Sequence, residues 1–215
     1  ISGCVFGMKP KPVRISWLVK SGRISPMSPV VLIAKNLGIR WLMLFDDEYV
    51  YGPTPGLVEA TDLLLKIFKP KSLIDLFGGS GAISKLALRK GVRKVVYVDI
   101  FPEAAFLNLR NEKRLKIIRS DAFNFLRSGA KCDVLIMDPP EELIGKVLQL
   151  LRLIRQVFRK AALIWIGPSN SSKKYSRILR KQRLIDIVEV WGDSFAVLWK
   201  PGLRDKLIEF KKLLE

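Results

Sequence analysis

Short apolar runs alternate with amphipathic stretches from about residue 57 onward, and this alternation constrains the fold more than any other feature. "SLIDLF" (72–77), "KVVYVDI" (94–100), "LKIIRSDA" (115–122), "CDVLIMD" (132–138) and "AALIWIG" (161–167) read as buried strands. "GLVEATDLLLKIF" places Leu57, Thr61, Leu64 and Phe68 at helical spacing and ends before Pro70. Further helices are expected in "AISKLALRKG", closed by Gly91, in "PEAAFLNLRNEKR", in "FNFLRSG" and in "LIGKVLQLLRLIRQVFR". Strands alternating with helices predict an α/β fold with a doubly wound, mostly parallel sheet covered on both faces. After a basic helix near 173–183, "LIDIVEVWGDSFAVLWK" predicts two more strands around a tight Gly192-Asp193 turn.

Residues 1–44 lack this regularity. Pro10, Pro12, Pro26 and Pro29 interrupt short apolar runs, which predicts a small extension of strands and one short helix ahead of a main domain over 45–215. Lys9, Lys11, Arg14, Lys20 and Arg23 make the extension basic, while Trp17 and Trp41 either pack in a core or contact nucleic acid. A chain of 215 residues suffices for one α/β domain with such an appendage. No apolar run approaches the roughly 18 residues of a membrane span, and Ile1-Ser2-Gly3 does not open a signal peptide. Cys4 and Cys132 supply neither a disulfide framework nor a metal set, so a cytoplasmic protein without a resident metal is expected.

Charge narrows the partners. The chain carries 38 Lys and Arg against 20 Asp and Glu, a net of +18, which implies attraction to polyanions and to nucleic acid first. A thermophile-like composition would also raise Lys and Arg, but it would raise Glu with them. There is no His, which excludes His-dependent triads and HExxH zinc chemistry.

"DLFGGSGA" (75–82) falls at the carboxyl end of the first strand of the regular region, where doubly wound sheets bind ligands. Gly78, Gly79 and Gly81 allow the backbone to pass beneath a ligand. The loop has no GK[ST] and is not GxGxxG, so neither a P-loop nor a dinucleotide fingerprint is present. Asp75 is placed to accept from a ligand amino group. Asp99, at the end of the second strand, is placed to hold ribose hydroxyls. Asp121, at the end of the third, is placed to accept from an adenine amino group while Ala122 offers its N–H. Each acid alone could be a strand-end cap. Three at successive strand ends beside a glycine loop point to an adenosine-type ligand.

The series "LIDLFGGSGAI", "VVYVDI", "IIRSDAF" and "VLIMDPP", closed by "VEVWGDSFAVLW", resembles the Rossmann-like S-adenosylmethionine-dependent methyltransferases over about residues 50–200. "DLFGGSGAISKLALRKG" is similar to the glycine loop and helix of bacterial 16S rRNA guanine-N2 methyltransferases. The resemblance implies a seven-stranded sheet with an antiparallel last strand. It implies S-adenosyl-L-methionine as cofactor, held by Asp75, Phe77, Gly78, Gly79 and Gly81, by Asp99 and Ile100 at the ribose, and by Asp121 and Ala122 at the adenine. "YGPTPG" (51–56) corresponds to a segment that closes over the cofactor and adds Thr54, with Pro55 beside it.

The acceptor side is written in "VLIMDPP". A carboxylate and a fixed backbone carbonyl hold the two hydrogens of an exocyclic amine and turn its lone pair toward an electrophilic methyl group, which is preorganisation for the transition state. Asp138, Pro139 and Pro140 are therefore the catalytic candidates. The resemblance supports this, since Asp/Asn-Pro-Pro-aromatic marks methyltransferases of planar amino groups. Here the fourth position is Glu141, which leaves Tyr51, Trp165 or Phe195 to stack the target. The resulting expectation is methylation of guanine N2 or adenine N6 in rRNA or tRNA, with a possible protein partner. Alternatives are a protein glutamine methyltransferase, a non-catalytic RNA-binding protein with this fold, or an aminopropyl transferase. "SKKYSRILRKQR" (172–183) is either a solvated face or a phosphate track.

Overall fold

The computed structural model describes residues 10–214, so Cys4 and Lys9 lie outside it. The chain begins with β1 (Lys11–Arg14), α1 (Ile15–Lys20) and α2 (Pro29–Leu37), followed by β2 (Trp41–Phe45) and β3 (Tyr49–Tyr51). Ser28 caps α2 by accepting from the Val31 N–H at 3.3 Å, Pro29 opens the helix, and Gly38 closes it at φ +70°. The three strands form an antiparallel sheet in the order β1-β2-β3. Its Leu42 and Val13 side packs with α3 (Pro55–Phe68) and the main core.

The regular region supplies β4 (Ser72–Leu76), α4 (Ala82–Arg89), β5 (Lys94–Asp99), α5 (Glu103–Asn108), β6 (Leu115–Arg119), α6 (Ala122–Arg127) and β7 (Cys132–Met137). A 3-10 turn at Glu141–Leu143 leads into α7 (Ile144–Gln149) and α8 (Leu151–Val157). Then come β8 (Phe158–Pro168), α9 (Lys173–Leu179), β9 (Ile185–Val190), β10 (Asp193–Trp199) and α10 (Arg204–Leu214). Seven strands form one sheet in the order β6-β5-β4-β7-β8-β10-β9, with β10 antiparallel to both neighbours. The expected α/β sheet with its antiparallel last strand is thus present.

Alternation along the strands sorts side chains to the two faces of the sheet. Val134 and Ile136 of β7 join Leu64, Phe68, Leu86 and Phe210 on the face covered by α3, α4 and α10. Leu135 and Met137 join Phe123, Val147 and Ile154 on the face covered by α6, α7 and α8. Among the described residues no helix is long and apolar enough to cross a membrane.

Several boundaries differ from the sequence expectation. The helix expected over 143–159 breaks at Leu150, and Phe158 already belongs to the sheet, paired with Cys132. Pairing with β7 and burial of Phe158 outweigh the local helical pattern. The hairpin turn is Trp191-Gly192 rather than Gly192-Asp193, because Asp193 already pairs with Val190. The last helix, α10, had no counterpart in the sequence reading; it buries Leu207 and Phe210.

Helix α5 stops at Asn108, well short of the expected Arg114: Leu109 follows at φ −117°, Asn111 turns at φ +65°, and the Asn108 side chain reaches across to the small sheet. Its Oδ1 accepts from the N–H groups of Arg40 (2.9 Å) and Trp41 (3.0 Å). Its Nδ2 donates to the carbonyls of Trp41 and Ser80, both at 2.8 Å. One amide thus ties the small sheet to the loop after β4. Asn108→Ala is expected to cost about 1–3 kcal/mol, seen as a lower urea midpoint with an unchanged slope. An unshifted midpoint would show that the tie contributes nothing.

Candidate active site

The sheet order reverses direction at β4, whose neighbours are β5 on one side and β7 on the other. Such a reversal opens a crevice at the carboxyl ends of the strands. Register places Leu76 opposite Met137, and the Asp138 N–H donates to the Leu76 carbonyl at 3.3 Å. Phe77-Gly78 and Asp138 therefore leave the sheet side by side. A cleft lies over them. Its walls are Tyr51 to Thr54, Leu57 and Val58 on one side, and Asp75, Phe77 to Ser80, Ala82, Ile83 and Asp138 on the other.

The glycine loop is held from beneath and from the side. Gly78 sits directly on the Tyr97 ring, where an added Cβ would come within 2.3 Å of ring carbon. The Tyr97 hydroxyl donates to the Gly79 carbonyl at 2.7 Å. Asp99 accepts from the Gly79 N–H at 2.9 Å and from the Phe101 N–H at 2.8 Å. Below the loop, Asp75 accepts from both the backbone N–H (3.1 Å) and the hydroxyl (2.7 Å) of Ser84 in α4. Gly79 has a φ of +52° with no atom within 4 Å of its missing Cβ.

Burial sets the protonation of these acids. It raises the Asp75 carboxyl to about 7, against the downward pull of the Ser84 bonds. Asp99 is raised for the same reason, opposed by its bonds to Phe101 and Gly79. Asp138 is also raised to about 7, chiefly by burial, with Thr54 lowering it and Asp193 raising it.

Thr54 occupies the cap position of α3 but does not cap it; its hydroxyl instead donates to Asp138 Oδ2 at 2.9 Å. Pro139 and Pro140 matter for what they lack. An aspartate can fold back onto the N–H two residues on, and here that residue is a proline with none to offer. Among the described residues the second carboxylate oxygen of Asp138 accepts no hydrogen bond. Tyr51 lines the same cleft, its phenol raised by burial and then by Asp138 and Glu142.

The residues named from sequence are distributed unevenly. Thr54, Asp75, Phe77, Gly78, Gly79 and Asp138 converge on the cleft. Gly81, Asp99, Ile100, Asp121, Ala122, Pro139 and Pro140 lie outside its walls. Gly81 opens α4 at φ +82° against Leu109, and Asp121 caps α6 by accepting from the Asn124 N–H at 2.9 Å. Ile100 is exposed, with its carbonyl bonded by Arg119.

Of the three candidate stacking aromatics, Phe195 is fully buried under Gly56 and is withdrawn from that role. Trp165 is half-buried, and its indole donates to Asp193 at 2.9 Å. Tyr51 remains beside Asp138. Sequence reasoning missed Tyr97, Ser84, Asn108 and Asp193. Tyr97 alone left a trace, two positions before Asp99 on the same strand.

This is the fold of the Rossmann-like methyltransferases. A methyltransferase from Geobacter sulfurreducens superposes with a TM-score of 0.57 at 16% identity, over 86% of this chain and 97% of that one. SMU.776, a methyltransferase solved with SAH, gives 0.55 at 14% identity, over 74% and 53%. The family model described as "Conserved hypothetical protein 95" matches residues 53–186, and the chain belongs to that family.

Among curated relatives, the Aeromonas hydrophila ribosomal RNA large subunit methyltransferase I is 28% identical over 128 residues, 54% of this chain and 32% of that protein. A polyamine aminopropyltransferase of Sulfolobus acidocaldarius is 32% identical over 117 residues, 49% of this chain and 37% of that one. The chain thus spans well under half the length of either relative.

A carboxyl whose value rises from near 4 in the unfolded chain to about 7 in the fold favours folding below pH 4 and opposes it increasingly up to pH 7. Asp138→Asn should therefore melt higher than the parent at pH 8, with the difference closing as the pH falls toward 4. A pH-independent difference in melting temperature would contradict the raised carboxyl.

Proposed function

We propose that this protein is an S-adenosylmethionine-dependent methyltransferase acting on an exocyclic amino group of an RNA base, guanine N2 or adenine N6. The observation that carries the reading is the placement of Asp138: beside the glycine loop, at the switch point of the sheet, with one oxygen held by Thr54 and the other without a bond among the described residues. The rRNA methyltransferase relative and the net charge of +18 support RNA as the acceptor. The SAH-bound neighbour supports the cofactor.

The donor set fits an adenosyl cofactor. Gly79 leaves room for close backbone approach, Gly78 lets the loop lie against Tyr97, and the Tyr51–Thr54 segment covers the loop from the other wall. Asp75 presents a buried carboxyl beneath it. Asp99 keeps unused lone pairs beside its two backbone bonds and is assigned to the ribose. Asp121 and Ala122, on the next strand end, are assigned to the adenine.

Bound S-adenosylmethionine supplies an electrophilic methyl carbon. This chain's own contribution is orientation. Asp138 accepts one amine hydrogen and the Pro139 carbonyl the other, and the fixed φ of both prolines keeps these acceptors in place before the acceptor arrives. The alkylated nitrogen is acidic enough to lose its proton to water, which suits a protein without His. Glu141 is turned toward Ser171, 3.5 Å away, so Tyr51 is assigned the stacking role usually filled at that position. Burial of Asp138 keeps its amine contacts dry, where they are strongest.

A second reading is aminopropyl transfer to a polyamine, favoured by the Sulfolobus relative. A cationic acceptor would have to approach a protein of charge +18, which disfavours it. Transfer to a glutamine side chain in protein would use the same Asp-Pro-Pro acceptors.

The test is transfer from methyl-labelled cofactor to unmodified RNA, DNA and protein extract. Label is expected in nuclease-sensitive RNA. Asp138→Ala should reduce transfer about 100-fold or more, the scale of losing one transition-state contact, while cofactor affinity is retained. Gly79→Val should lose the cofactor itself. Acceptance requires the ionised carboxylate, so kcat/KM should fall as the pH drops through about 7. Thr54→Val removes the bond that lowers Asp138 and should move that limb to higher pH. Full turnover in Asp138→Ala would end the assignment.

A further inference from the structure

Between Glu142 and Asp186 the chain contains no acidic residue. Within that span α9 and the turn after it expose Lys173, Lys174, Arg177, Arg180, Lys181 and Arg183. Among the described residues none of these six enters an ion pair. The pairs that do form involve Lys11, Lys85, Lys90, Arg119, Arg159 and Lys211, on other elements. Lys173, Arg177 and Arg180 share one face of the helix at successive turns. A run of like charges without internal acids repels itself and gathers counterions, which a polyanion displaces.

The hairpin turn beside this segment is equally unusual. Trp191 is 68% exposed and holds a φ of +55°. A two-residue hairpin turn with φ above zero favours Asn-Gly, and a bulky aromatic there is strained. Its indole donates to Glu59, which fixes the ring's orientation without covering it.

The turn and the start of the basic segment are bonded to each other. The Ser169 N–H donates to the Gly192 carbonyl at 2.8 Å, and Ser172, at the start of α9, bonds Ser194 at 2.8 Å. The turn is linked to the Asp138 cleft by Asp193, whose charge reaches Asp138, and by Glu59, which lies one turn into the helix that Thr54 begins and accepts from Trp191.

We propose that Trp191 and the cations from Lys173 to Arg183 form a docking track for single-stranded RNA that leads into the Asp138 cleft. Phosphates lie along α9, and a base flanking the target stacks on Trp191. This inference rests on the RNA reading of the preceding subsection. A membrane surface is disfavoured because Ile178 is the one large apolar side chain that α9 exposes.

The test is binding of a fluorescent single-stranded RNA to the full chain across a potassium chloride series, with phosphatidylserine vesicles as a second arm. Replacing Arg177, Arg180 and Lys181 with Gln should flatten the slope of log affinity against log salt by about 2, the share of three phosphate contacts. Trp191→Asn should weaken binding roughly five- to a hundredfold with the slope unchanged, and should melt no lower than the parent because Asn tolerates this backbone. Cofactor affinity should be the same in all variants.

An unchanged slope in the triple variant, or full affinity in Trp191→Asn, overturns the track. So does variant-sensitive binding of vesicles without RNA. The two readings separate cleanly. Methyl transfer to RNA with these variants unimpaired removes the track alone, and variant-sensitive RNA binding without any transfer removes the enzymatic reading alone.

Discussion

The cleft depends on a loop that cannot stand on its own backbone. Residues 77–81 leave β4 with Phe77, Gly79 and Gly81 all at positive φ, and they are held by side chains from two other elements. Asp99 and Tyr97 of β5 grip Gly79 by its N–H and its carbonyl, Asn108 of α5 grips Ser80, and Asp75 anchors the helix that follows. These bonds are all made inside the protein. The loop is therefore formed before any ligand arrives, which reduces the ordering that binding would otherwise require.

That arrangement concentrates acids. Asp75, Asp99 and Asp138 are all pushed toward the protonated form by burial, and none has a basic partner among the ion pairs of the described residues. In a chain with a large excess of cations, the exclusion of Lys and Arg from the cleft walls separates two functions. The exterior attracts anions, whereas the interior offers uncompensated acceptors to N–H and O–H groups. Placing a cation among them would neutralise the acceptors that the cleft presents.

The sheet was legible because burial on both faces writes near-continuous apolar runs, and those of β4, β5 and β7 fell within a residue or two of their observed ends. The glycine loop and Asp138 were legible because their roles are local: a left-handed turn favours Gly, and a double proline removes the N–H groups of ordinary turn bonding. Partner choices were not legible. Asp99 looks like a ligand grip from its strand-end position, yet in the fold its oxygens meet Gly79 and Phe101. Asn108 and Asp193 act on residues more than 25 positions away, and nothing beside them in the chain marks that reach. The division of 143–159 between helices and strand was invisible for the same reason, since pairing with Cys132 decided it.

The amide of Asn108 also makes the small sheet a mechanical extension of the loop. Its two ends bond Trp41 and Ser80 at the same moment, so a displacement of either shortens or stretches the other's contact. Rigidity gained at the loop passes through this side chain to the Arg40 and Trp41 amides, far along the chain from the cleft. The exchange of those two amide hydrogens with solvent is thus a remote reporter of whether the loop beneath Tyr51 is occupied.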